Sequence, residues 1–221
     1  MALTDIAIAK IKDMILAGTL RPGDRLPKEA DLAERLGLSR SSLREAVKAL
    51  ALIRVLDVRQ GDGTYVTSLS PALLLDAVAF VVDFHPDAGV LQFFEVRRIL
   101  EPAAAALAAQ RMTDVEELRR LVDALDGLED LDAVVANDLE FHRRIAAGAG
   151  NDVLCSLIDA LSGPTVRART WRGRTQADAI GRTRQQHRAI LDAIAAGEPE
   201  LARSWATVHV AEIEEWLRRT V

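Results

Sequence analysis

Cysteine is almost missing from this chain: Cys155 is the single one in 221 residues. An internal disulfide is therefore impossible, and the usage suits a reducing compartment. Aromatic residues make up only 4%, which argues against a strand-rich protein. No apolar run approaches the roughly 18–20 residues that a membrane-spanning helix needs. A secretory pattern is lacking too, because Asp5, Lys10, Lys12 and Asp13 interrupt the first apolar stretch. These absences set the expectation of a soluble, cytoplasmic protein with no membrane partner. A strongly basic balance is also absent, since the net charge is −5. Its distribution is uneven, however. Residues 1–70 carry 11 basic and 9 acidic side chains, and all four lysines lie among the first 50 residues. The acidic excess belongs to the remainder, so the N-terminal part permits a nucleic-acid partner without requiring one.

What is abundant is helix-forming. Apolar residues reach 49% and charged residues 28%, enough for a packed core. From Thr4 to Ala17, Ile6, Ala9, Ile11, Met14 and Ile15 recur at helical spacing, and Gly18 stops the run. Arg21-Pro22-Gly23-Asp24 is a turn. A second helix is predicted from Lys28 to Leu36, ended by Gly37. A third opens at Ser39, or at Ser42 with Glu45 as a capping box, and runs through Leu43, Val47 and Leu50. Beyond it the period changes to that of two short strands around Val55–Arg59 and Tyr65–Val66, joined by Gln60-Gly61-Asp62-Gly63. Three helices and a two-stranded wing make a winged helix-turn-helix. From Pro71 onward the pattern is helical throughout, with helices predicted near 71–84, 88–111, 114–127, 131–148, 152–171, 177–196 and 199–219. Pro102 and Pro164 fall inside this pattern and are expected to kink or split their helices. The expected architecture is mainly α: a winged helix-turn-helix over residues 1–69, a short linker at Ser68–Pro71, and an all-helical bundle of six or seven helices over 70–221.

In a helix-turn-helix the second helix of the pair enters the major groove. Here that stretch is Ser39-Arg40-Ser41-Ser42-Leu43-Arg44-Glu45. Arg40 and Arg44, four residues apart, share a face and offer guanidinium forks for guanine edges or phosphates. Ser39 and Ser41 supply short donors, and Gly61 and Gly63 let a wing tip with Arg59 and Gln60 come close to a sugar–phosphate backbone. Leu32, Leu36, Leu43 and Val47 are expected to pack the two helices together. Spacing alone fits an ordinary solvated arginine face equally well. The ordered string GTLRPGDRLPKEADLAERLGLSRSSLREAVKAL…VRQGDGTYV, over about residues 5–67, closely resembles the DNA-binding domain of the GntR family of bacterial regulators. That resemblance implies that Arg40 and Arg44 contact bases or nearby phosphates, supported by Ser39, Ser41, Gln60 and Gly61. Two positions depart from the family pattern: Arg54 stands where most relatives have glycine, and Ala30 where some carry a DNA-contacting arginine.

The C-terminal part holds all four histidines: His85, His142, His187 and His209. Asp138 and His142 are spaced i,i+4, which puts both on one helical face. If the last helices join the same bundle, His187 and His209 can converge on that pair, giving a donor set suited to Zn, Ni, Co, Mn or Fe. Spacing alone is better explained by three unrelated histidines, because only Asp138 and His142 have local geometry. The segments EVRRILEPAAAALAA, DLEFHRRIAAGAGN and QHRAILDAI and the late His-Val pair resemble the ligand-binding domain (the FCD, for FadR C-terminal domain) of the FadR subfamily of GntR regulators. That resemblance implies a divalent metal held by Asp138, His142, His187 and His209. Arg97 is expected either to face that cavity as a carboxylate clamp or to pair with Glu95, Glu101 or a second subunit. Asn151 is expected to cap the following helix, and His85 to be structural or exposed. The arginines 167, 169, 172, 174, 182, 184 and 188 are read as a solvated face, although an anionic effector or DNA could also face them. Trp171, Trp205 and Trp216 are read as packing residues.

The function these features imply is a homodimeric, ligand-responsive repressor of double-stranded operator DNA, controlled by a small organic acid bound near the metal. A regulator that senses the metal itself is one alternative. A metal-dependent enzyme with an appended DNA-binding module is another, although no nucleophile elbow, HExxH motif or general base accompanies the histidines.

Overall fold

The computed structural model describes residues 3–70, 89–128 and 130–220. The predicted 71–84 helix, the 88–111 helix's first residue, His85 and Pro86 lie outside those residues. The chain forms two compact units that divide near residue 74.

In the N-terminal unit, α1 (Leu3–Leu16) and α2 (Glu29–Leu36) both end at glycines in the left-handed region, Gly18 and Gly37. The N–H of Leu38 returns to the Ala33 carbonyl at 2.9 Å and closes the α2 end. Helix α3 (Arg40–Leu52) is capped by Ser39, whose Oγ accepts from the Ser42 N–H at 3.0 Å. Of the two expected starts, Ser39 is therefore the one used; Ser42 lies inside the helix and Glu45 pairs with Lys48. Leu32, Leu43 and Val47 are buried with Ala7, Ile11 and Leu50, while Leu36 is partly buried beside them. Strands β1 (Leu56–Arg59) and β2 (Gly63–Val66) pair antiparallel, with Leu56 opposite Val66 and Arg59 opposite Gly63. A bridge between Arg25 and Tyr65 adds a third extended segment to the wing, which the turn-rich Arg21–Asp24 sequence did not announce.

The C-terminal unit has six helices among the described residues: α4 (Gly89–Arg111), α5 (Glu116–Ala124), α6 (Leu131–Gly148), α7 (Asp152–Thr175), α8 (Ala179–Ala195) and α9 (Pro199–Thr220). Helix α4 packs against α6, α7, α8 and most extensively α9. Its run of small residues makes this possible: Ala104, Ala105, Ala106, Ala108 and Ala109 are all buried, and methyl side chains let several helices approach one axis. Pro102 and Pro164 do not split their helices; α4 and α7 run through them. Asn151 caps α7 as expected, its Oδ1 accepting from the Leu154 N–H at 3.1 Å.

Arg54 adopts φ +57°, the left-handed region that disfavours a Cβ. The departure noted at this position therefore carries a conformational cost of about 1 kcal/mol. Arg54→Gly is expected to raise the stability of the N-terminal unit by about 1 kcal/mol in thermal or urea unfolding of the full chain; a loss of stability would show that the arginine's own interactions outweigh the backbone strain.

Candidate metal centre and nucleic-acid interface

Helix α6 carries Asp138 and His142 one turn apart, α8 carries His187, and α9 carries His209. All four are buried, and one donor atom from each lies within 4.8 Å of the others. Asp138 Oδ1 is 3.2 Å from His187 Nε2, 3.6 Å from His142 Nε2 and 4.0 Å from His209 Nε2. The Nε2 atoms of His142 and His209 are 3.1 Å apart. An ion with bonds of about 2.1 Å separates its ligand atoms by roughly 3–4 Å, so these spacings fit one divalent ion.

The groups behind the ligands orient them. His142 Nδ1 lies 3.0 Å from Glu101 Oε2, and Arg97 Nε donates to Glu101 Oε1 at 2.5 Å. His209 Nδ1 donates to Gln186 Oε1 at 2.9 Å, and the Gln186 amide donates in turn to Glu212. Because Glu212 can only accept, it holds the Gln186 oxygen toward His209 and thereby leaves the His209 Nε2 lone pair facing Asp138. His187 is held differently, stacked on Phe141 with ring centroids 4.0 Å apart. Both of its nitrogens are buried and neither makes a hydrogen bond. Its Nε2 faces Asp138 Oδ1 at 3.2 Å without a hydrogen bond, a spacing that a cation between the two would bridge.

Electrostatics point the same way. Burial alone would raise the Asp138 carboxyl, but the Arg169 guanidinium and the two imidazoles beside it hold it well below its usual range. Burial pushes His187 down and His209 well down, so both are neutral with free lone pairs at ordinary pH. His142 moves the other way, since Glu101 and Asp138 outweigh the effect of its burial.

Arg97 is entirely buried. It pairs with Glu101, one of the alternatives weighed above, and also donates to Thr165 Oγ1 at 3.1 Å. The solvated reading of the arginine cluster fails at two members. Arg169 donates to Asp138 Oδ2, and Arg172 donates to Thr183, Gln176 and Glu212; the two residues are 7% and 4% exposed. A stripe on α7 could have signalled this, because Ile158, Thr165, Ala168 and Arg172 follow helical spacing and are all buried. Arg167, Arg174 and Arg184 are exposed as expected. Gln186 and Glu212 were not singled out either, and Glu101 only as a partner of Arg97. Trp171 is 39% exposed and meets buried Trp216 edge-on at 5.0 Å, and Trp205 packs against the main core.

In the N-terminal unit, Ser39, Arg40, Ser41 and Arg44 lie exposed on the first turns of α3, and Gln60 and Gly61 on the wing tip. Gly61 has φ +79°, which a turn of this shape requires. Arg44 is held by Glu29 Oε2 through Nε at 3.2 Å and Nη2 at 3.1 Å. That pair is exposed and worth about 0–1 kcal/mol, so a phosphate can displace it. A Cβ at Gly63 would lie 2.5 Å from Arg25 Nε, so glycine there also makes room for a guanidinium that donates to the Asp62 carbonyl. Arg59 stacks over Tyr65, 4.2 Å from the ring centroid.

Two family profiles match this chain, one described as bacterial regulatory proteins of the gntR family over residues 3–66, the other as the FCD domain over residues 92–212. The chain belongs to the GntR family of bacterial regulatory proteins and carries an FCD domain. This combination fits the FadR-type subfamily. The HTH-type transcriptional regulator LutR of Bacillus subtilis (strain 168) is 30% identical over 213 residues, covering 92% of this chain and 96% of that protein. The galactonate operon transcriptional repressor of Escherichia coli (strain K12) is 30% identical over 217 residues, covering 94% and 93%. Among solved structures, Streptococcus agalactiae GntR superposes with a TM-score of 0.72 at 29% identity, covering 96% of this chain and 99% of that one. This GntR-family chain is therefore a DNA-binding transcriptional regulator with a winged helix-turn-helix. Among the described residues, no helix is long and apolar enough to cross a membrane.

Gln186→Leu in this regulator is expected to weaken zinc binding about 10- to 100-fold, read by competition with a chromogenic chelator, with Gln186→Glu recovering part of the loss. Unchanged affinity in Gln186→Leu would mean that packing alone orients His209.

Proposed function

We propose that this regulator is a homodimeric repressor whose grip on operator DNA is loosened by a small carboxylate bound beside a divalent ion. The observation that carries the reading is the closed set of Asp138, His142, His187 and His209, with the buried His187 imidazole facing Asp138 at 3.2 Å and hydrogen-bonded at neither nitrogen. Zn, Ni, Co, Mn and Fe all suit three imidazoles and a carboxylate, and the donor set leaves coordination positions open. A bound ion supplies positive charge and a seat for a carboxylate oxygen. This chain's residues do the rest: Glu101 and Gln186 fix two imidazoles, and Arg169 secures the far oxygen of Asp138. The name of the E. coli relative, a galactonate operon repressor, supports both a repressor role and an acid as signal. That every matched relative cited above is a regulator supports the absence of catalysis.

On the DNA side, Arg40 and Arg44 read the major groove, with Ser39, Ser41, Gln60 and Gly61 on the adjoining backbone. Two copies of α3 address two half-sites about one helical turn apart. Effector binding favours an arrangement of the dimer in which that spacing fits less well. A differential affinity of about 2 kcal/mol between the two arrangements gives roughly a 30-fold change in DNA affinity.

With a duplex selected from a random-sequence pool, Arg40→Ala or Arg44→Ala is expected to cost about 1–3 kcal/mol of specific affinity at fixed salt. An acid that raises the melting temperature of zinc-loaded protein, and not of chelator-treated protein, is expected to lower affinity for that duplex. Stabilisation equal in both samples would remove the ion from the response. A change in DNA affinity with zinc alone, and with no acid, would instead favour metal sensing.

A further inference from the structure

Beside Asp138 the C-terminal unit opens into a narrow cleft of about 40 Å³ between α6, α7, α8 and α9. Its walls are uneven in chemistry. Leu131, Val134, Val135, Ile180 and Ile213 supply most of the lining, and the polar side chains are Asp138, Arg169, Arg172 and Thr183.

Most of that polar complement is already in use. Arg172 donates through Nε to Gln176 at 2.7 Å, through Nη1 to Thr183 at 3.3 Å and through Nη2 to Glu212 at 2.7 Å. Asp138 has Oδ2 on Arg169 and Oδ1 against the imidazoles. Arg169 is the exception: its side chain is 5% exposed, and Nε and Nη2 have no partner. A buried guanidinium with two unsatisfied donor atoms favours an anion beside it, and a carboxylate matches its fork. Arg97, the earlier candidate clamp, does not line this cleft.

Resting on the carboxylate-sensor reading above, we propose that this cleft selects a short aliphatic carboxylate and rejects polyhydroxy acids. The carboxyl group lies on the spare donors of Arg169, and the hydrocarbon tail lies among Val134, Val135, Ile180 and Ile213. The physical basis is the mismatch between wall and ligand. An aliphatic tail gains from leaving water against an apolar wall. A sugar-acid chain brings several hydroxyls into a cleft whose one uncharged polar side chain, Thr183, accepts from Arg172 and can serve at most one or two of them. Each hydroxyl left without a partner weakens binding by about ten-fold.

The test is calorimetric titration of the zinc-loaded full chain with isocaproate, α-ketoisocaproate, gluconate and galactonate. At least one aliphatic acid is expected to bind about ten-fold or more tightly than either sugar acid. Ile180→Asn, on the half-buried edge of the cleft, is expected to shrink that ratio while zinc affinity stays unchanged. Gluconate or galactonate binding as tightly as both aliphatic acids would overturn the proposed selectivity and leave the carboxylate-sensor reading standing. Failure of all four acids, with zinc still bound, would count against that reading and this inference together.

Discussion

Asp138 is a carboxylate only 6% exposed inside a helical bundle, and burial by itself would drive it to its neutral form. It stays ionised because Arg169 and the imidazoles of His142 and His187 surround it. Those partners come from α6, α7 and α8, with His209 of α9 closing the ring and Glu101 of α4 holding His142. Five of the six helices described in the C-terminal unit thus meet around one charge. Removing one member of such a buried pair typically costs about 3–5 kcal/mol, because the other is left uncompensated. The centre therefore constrains how the helices pack as well as what they can bind.

The same constraint gives a way to couple ligand and packing. Arg169 joins α7 to α6 through Asp138, and burial and neighbouring Arg97 press its pKa down to about 10. An anion on its spare Nε and Nη2 would favour the charged form while Nη1 stays on Asp138. Gln186 and Glu212 extend the network from His209 to Arg172 and Arg182, near the junction of α7 and α8. A small ligand bound in the proposed cleft would act on contacts shared by four helices. An effector favours one arrangement over another only where it binds the two with different affinity.

Much of this was legible from the chain alone, for local reasons. Ser39, Gly18, Gly37 and Asn151 mark helix ends because capping is decided within a few residues. Asp138 and His142 announce a shared face through i,i+4 spacing, whereas the approach of His187 and His209 depends on helices folding together and came from family resemblance. The buried arginines were harder. Arg169 and Arg172 sit in a run with exposed Arg167 and Arg174, and only the partners Asp138 and Glu212, distant in sequence, make their burial tolerable. At Pro102 and Pro164, where a kink or a split was expected, α4 and α7 are not split. Arg25 was missed because its bridge to Tyr65 spans a turn with no strand pattern.

The most direct test of the central claim is the metal content of the protein after zinc loading and gel filtration, measured by mass spectrometry of the element. The account predicts about one ion per chain, falling to near zero in a His209→Ala variant that keeps its helical circular dichroism. Zinc-free protein after loading, or equal zinc in the variant, would contradict it and leave the four residues as a buried hydrogen-bonding cluster alone.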